Sequence, residues 1–208
     1  MDMHIDTLVK TYLDEHIQLS KDFPIDGVVN LTKALITTYK KGGSVFIFGN
    51  GGGASIADHF ASDLRVHPFL SEDKSKAKDI TRLKVYCLND SSGMITRIAN
   101  DIGYEDIFSE QLVNYSISSK DLVIALSTSG NSPNILKALA YSIQRGAVTA
   151  CIGKGGRAMG MVNIGIFIVG NSTFPGQVGA NNNTFNTEDF QTMIGHMLTG
   201  LLMEEVNG

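Results

Sequence analysis

Basic side chains are few and scattered. Seventeen lysines and arginines stand against 21 acids in 208 residues, a net charge of −4. No basic block of the kind that grips nucleic acid occurs, so no nucleic-acid partner is expected. An anionic ligand would have to be drawn in locally, by N–H groups and a few cations. Cysteine occurs twice, as Cys87 and Cys151, each at the end of an apolar run. That excludes a disulfide-stapled scaffold and reads as reduced core thiols of a cytoplasmic protein. No apolar stretch approaches the ~18 residues of a membrane span, so no membrane association is expected. The start lacks the cationic and apolar regions of a secretion signal. Repeats and low-complexity tracts are missing apart from Asn181-Asn182-Asn183. The remainder is 43% hydrophobic and 18% charged, which suits one domain with a sizeable core.

What is there is apolar periodicity. Helical spacing runs over 3–20 through Ile5, Leu8, Val9, Tyr12, Leu13, His16 and Ile17. It resumes after Pro24 over 25–40 and closes at Gly42-Gly43. Apolar runs at 44–48, 83–88, 122–126, 147–152 and 164–169 predict strands. Helices are predicted over 53–66, 94–99, 104–115, 132–144 and 187–205, the last with Thr187 as its N-cap. Stretches 67–80 and 153–157 read as exposed, mobile loops. Strands that are continuous apolar runs and alternate with helices predict an α/β fold, a doubly wound parallel sheet covered on both faces. Ligands of such sheets bind at the carboxyl ends of strands.

Two polar loops sit at such ends. Asn50-Gly51-Gly52-Gly53-Ala54-Ser55 follows the strand 44–48, and Ser127-Thr128-Ser129-Gly130-Asn131-Ser132 follows the strand 122–126. Hydroxyls and free N–H groups at a helix start form a phosphate site. The same residues also serve as plain helix caps or a tight strand-to-helix turn. The glycines follow neither the dinucleotide nor the P-loop spacing. His59 and Asp63 are four apart on one helix face, which suits Zn²⁺ or a surface ion pair. Arg97, Lys154 and Arg157 are candidates to draw in an anion, or are solvated loop cations. Asp101 either joins a site or caps a helix beginning at Tyr104, and Asp189 and Gln191 either join it or face solvent. His4, His16 and His67 show no partner pattern.

Three ordered segments, Gly49–Leu64, Ala99–Phe108 and Ser127–Asn134, resemble the sugar isomerase (SIS) domain, in particular the phosphoheptose isomerase family. The likeness spans nearly the whole chain. It implies a single SIS domain over 1–208, with a flavodoxin-like five-stranded parallel sheet, N-terminal helices over 1–41 for oligomer packing and a long C-terminal helix. It implies a homotetramer with active sites at subunit interfaces and a phosphorylated sugar as substrate. The implied reaction converts sedoheptulose 7-phosphate to D-glycero-D-manno-heptose 7-phosphate through an enediol, for lipopolysaccharide or capsule. Carried over by position, Ser127, Thr128, Ser129 and Ser132 hold the phosphate, and Asn50, Gly51, Gly52, Ser55, Asp101 and Glu188 complete the substrate set. Asp63 and His196 are catalytic. His59, Asp63, Glu188 and His196 are the implied Zn²⁺ ligands, with no organic cofactor. Three positions depart from the family: Gly53 replaces a serine, Asp63 a glutamate and Glu188 a glutamine. The same resemblance also covers isomerases of other sugar phosphates, and non-catalytic SIS proteins that bind phosphosugars or associate with a replication initiator. Glu188 and His196 are eight apart, about 12 Å along a helix, so one ion meets both only if Glu188 lies at the helix start and reaches inward.

Overall fold

Alternate residues of each central strand face opposite sides, and each side has its own core. The computed structural model describes residues 2–207. Five parallel strands are present there: β1 (Ser44–Gly49), β2 (Lys84–Cys87), β3 (Leu122–Ser127), β4 (Val148–Gly153) and β5 (Ile164–Phe167), in the spatial order β2-β1-β3-β4-β5. Val45, Ile47, Leu122, Ile124 and Leu126 pack under α2 (Ile25–Lys40), α3 (Gly52–Val66) and α7 (Thr184–Asn207). Phe46, Phe48, Val123 and Ala125 pack under α4 (Ser92–Asp101), α5 (Ser109–Asn114) and α6 (Pro133–Gln144). This period of two explains why the strand segments read as unbroken apolar runs. α1 (Asp2–Lys21) lies outside, against the start of α7.

The chain leaves β1 for the edge strand β2 and returns to β3 on the other side. The switch point therefore falls between β1 and β3, and both polar loops emerge there.

Three expectations need correction. The helix predicted over 104–115 is broken into a 3-10 turn, Tyr104–Asp106, and the short α5. Ile107 and Phe108 turn into the core between them, and burial outweighs helical continuity. α7 begins at Thr184, so Thr187 is not its N-cap. Thr187 is buried one turn in, and its hydroxyl donates to the Asn183 carbonyl at 2.6 Å. The stretch 67–80 is structured at both ends: Pro68 and Phe69 are buried, and Leu70 bridges Ala77. Within it, hydrogen bonds from Ser71 and Ser75 hold the Asp73 carboxyl down at about 2.

Candidate active site

A small pocket opens at the switch point, lined by Asn50, Gly53, Ser127, Thr128, Ser132, Glu188 and Gln191, with Leu126 behind. Its loops are held by their own polar groups. Ser127 Oγ accepts from the Gly130 N–H at 3.2 Å, and Ser129 Oγ accepts from the Asn131 N–H at 3.2 Å. Thr128 and Gly130 carbonyls accept from the N–H groups of Lys154 and Ala158. Ser132 stands at the N-cap of α6, yet its hydroxyl makes no capping bond. The plain-cap reading therefore does not hold for the Ser132 side chain. Beside the pocket, Asn50 and Asn134 exchange amide hydrogen bonds at 2.9 Å in both directions, and Tyr104 donates to Asn50 Oδ1 at 3.3 Å.

Glu188 forms one wall. A Cβ on Gly52 would lie 2.6 Å from its carboxylate, so glycine there lets the acid approach the first turn of α3. Burial, and then the Asp189 charge, push the Glu188 carboxyl up. The folded protein thus holds this proton to higher pH than the unfolded chain does. The contribution to stability is full below the ordinary carboxylate range and is lost as pH rises through the raised value. Glu188→Gln is expected to melt at higher temperature than the wild type at pH 7 to 8, a gap that closes as pH falls toward about 4. Calorimetry across that range checks it; a gap independent of pH would show that packing, not charge, is responsible.

Further along α3, His59 and Asp63 meet His196 of α7. His59 Nε2 lies 3.2 Å from His196 Nε2 and 3.2 Å from Asp63 Oδ2, and His196 Nε2 lies 3.8 Å from that oxygen. Donors bound to one tetrahedral zinc at the usual bond lengths stand ~3.3 Å apart. Two imidazoles and a carboxylate with these spacings could hold such an ion. Both histidine side chains are 56% exposed.

Residues 12–153 match the SIS domain. The chain belongs to the SIS domain family. A phosphoheptose isomerase from Trichlorobacter lovleyi is 36% identical over 80% of this chain and 83% of its own. Another, from Leptospira biflexa, is 29% identical over 99% of each. The structure of the phosphoheptose isomerase from Neisseria gonorrhoeae superposes with a TM-score of 0.78 at 19% identity, covering 95% of this chain and 98% of that one. That likeness shows a shared fold.

This SIS domain gathers some of the expected residues and separates others. Asn50, Ser127, Thr128, Ser132 and Glu188 share the pocket; Gly52 lies against the Glu188 carboxylate where α3 begins, and Gly51 is not part of the lining. Ser129 shapes the turn. Ser55 does not replace the hydroxyl missing at Gly53: it lines a neighbouring cleft with Asp58, Arg65 and Asp90. Asp101 ends α4 and pairs with Arg97 at 3.0 Å, so it caps no helix at Tyr104, where Gly103 holds the N-cap position. Glu188 does not join His59, Asp63 and His196, whose ligand atoms all lie within 4.8 Å of one another. The eight-residue gap on α7 sends it to the pocket instead. Lys154 is not a free loop cation: its Nζ donates to the carbonyls of Ala180 and Asn182 and to Thr184 Oγ1.

Other polar groups are brought together by the fold. Gln191 is fully buried; its amide N–H donates to Ile152 at 2.7 Å, and its Oε1 finds no protein donor. Asp189 Oδ2 accepts from Tyr12 at 2.5 Å and lies 3.0 Å from His16 Nε2. Burial, then that carboxylate, hold the Tyr12 phenol far above its usual range. Glu15 takes hydrogen bonds from Ser172, Thr173 and Asn186, which outweigh burial and hold its carboxyl low. Together these polar contacts fasten α1 to the start of α7. A second cluster, Asp58, Cys87 and Asp90, is closed by Arg65, 2.9 Å from Asp90, and burial pushes the Cys87 thiol up to about 12.

Proposed function

We propose that this chain is an aldose–ketose isomerase that converts sedoheptulose 7-phosphate to D-glycero-D-manno-heptose 7-phosphate, supplying heptose for lipopolysaccharide or capsule. The observation that carries the reading is the pairing of a hydroxyl-lined pocket at a helix start with a carboxylate–imidazole cluster further along α3. The Ser127, Thr128 and Ser132 hydroxyls and the start of α6 bind the phosphate. Asn50 orients the sugar chain, and Gly51 and Gly52 let it approach the backbone. Asp63 and His196 divide the two proton transfers: one lifts the proton from the hydroxyl-bearing carbon beside the ketone, the other protonates the ketone oxygen. The resulting enediol then gives up the proton of the hydroxyl on the neighbouring carbon, which becomes the aldehyde, and takes a proton on the former carbonyl carbon. Where Zn²⁺ is held by His59, Asp63 and His196, it would polarise the carbonyl and steady charge on its oxygen in place of their proton-transfer roles.

The assembly belongs to the same proposal. Ile5, Val9, Leu13 and Ile17 recur every four residues on α1, and each is more than half exposed. A stripe of this kind suits packing against further copies, and we infer a homotetramer in which the 1–41 segment forms the contact. The exposure of His59 and His196 supports interface active sites, because proton transfer at carbon benefits from exclusion of water. The cytoplasm is the proposed location, supported by two buried free thiols; no helix among the described residues is long and apolar enough to cross a membrane. Leu13→Asp is expected to reduce the mass by light scattering from four chains to one or two, with loss of turnover. An unchanged mass would remove α1 from the interface.

The reaction is tested by incubating the protein with sedoheptulose 7-phosphate in deuterated water and following the sugar by NMR. Heptose 7-phosphate carrying deuterium at the carbon that receives the proton is the expected product. No conversion and no exchange would leave a phosphosugar-binding SIS module as the better account.

A further inference from the structure

The two oxygens of the Asp63 carboxylate have different neighbours. Oδ2 faces His59 Nε2 at 3.2 Å and His196 Nε2 at 3.8 Å. Oδ1 faces a third imidazole, His67, whose Nε2 is 3.5 Å away. His67 lies outside the group of mutually close ligand atoms. It touches the cluster through Asp63.

We propose that His67 is a positioning residue that holds Oδ1, so that Oδ2 is presented to His59 and His196. The proposal rests on the reading of those three residues as the working centre. An aspartate carboxylate rotates in a broad, nearly two-fold well, so its stem alone does not choose which oxygen faces the histidines. A donor on one oxygen makes the choice. Carboxylates that work at metal or proton-transfer centres are commonly oriented by an outer hydrogen-bond partner.

The chain is built to keep that partner in place. His59, Asp63 and His67 are spaced by four, one stripe of a single helix face. His67 follows the last residue of α3, yet its φ of −56° and ψ of −45° continue the helix, so its side chain still rises over Asp63. Its position is anchored from the other side, because Pro68 and Phe69 are buried in the core. The imidazole itself is 39% exposed and Asp63 is 17% exposed, so the contact is partly shielded from water.

The test compares wild type, His67→Ala and His67→Gln. Each is stripped with a chelator and titrated with Co²⁺ by visible absorbance, and each reloaded protein is assayed with sedoheptulose 7-phosphate. For His67→Ala we expect Co²⁺ affinity about tenfold weaker, an altered absorption band and kcat down about 10- to 100-fold. KM is expected to stay within about twofold and the melting temperature unchanged, because the residue touches neither substrate nor core. His67→Gln, whose amide N–H can serve Oδ1, is expected to recover most of the loss. If His67→Ala matches an active wild type in Co²⁺ affinity, spectrum and kcat, His67 is a solvated surface imidazole and the proposal falls. A raised KM with intact kcat also overturns it, in favour of substrate contact. A wild type that neither binds Co²⁺ nor turns over the sugar overturns the centre itself, a failure distinct from that of His67 alone.

Discussion

Asp63→Asn is expected to lower kcat by about 10³-fold while the protein folds as before. The amide matches the carboxylate in shape, so the packing of α3 against α7 is not disturbed. It cannot take up a proton at carbon, nor offer a negative oxygen to the two imidazoles that lie 3.2 and 3.8 Å from Oδ2. Under the proposed roles, this one-atom change removes either the proton acceptor or the anionic ligand. The check is turnover of sedoheptulose 7-phosphate by NMR, with circular dichroism to confirm the fold. Activity within tenfold of wild type would place the chemistry elsewhere, with Glu188 as the next carboxylate to test.

Gly130→Ala is expected to damage the protein more broadly. Gly130 has φ of +61°, which costs any L side chain, and its Cβ would overlap the Gly155 carbonyl oxygen. The loop cannot retreat easily, because the Gly130 carbonyl accepts from Ala158 and its N–H is held by Ser127. Positive φ and overpacking together should cost roughly 3 kcal/mol. The displaced turn carries the hydroxyls of the pocket, so affinity for inorganic phosphate should fall along with stability. Urea denaturation and phosphate titration check both. Full stability would mean that the loops 127–132 and 153–158 can separate without loss.

The layered fold was legible because its signals are local. Runs such as Val45–Phe48 and 122–126 are apolar on both faces of the sheet, and the polar loops that end them mark the switch point. Half of the candidate site was legible for the same reason: the hydroxyl loop is contiguous, and His59 and Asp63 are one turn apart. What escaped depends on distance in sequence. His67 looks unpartnered until the turn after α3 is seen to continue the helix. Glu188 could be placed only once the true start of α7 was known, and Thr187 had suggested a later one. Tyr12, Glu15 and His16 find their partners more than 150 residues away, where no spacing rule reaches. The sequence left Gln191 between the site and solvent, and its burial in the pocket lining answers that question.

The Asn50–Asn134 amide pair bears on the thermodynamics of binding. Asn134 is 1% exposed, and each of Asn50 and Asn134 both gives and takes a hydrogen bond, so neither amide can turn without breaking two bonds at once. These bonds tie the loop after β1 to the first turn of α6. Their relative freedom is surrendered when the chain folds, not when a sugar phosphate arrives. Association then carries little conformational entropy loss at these loops, and the site meets its ligand already in shape.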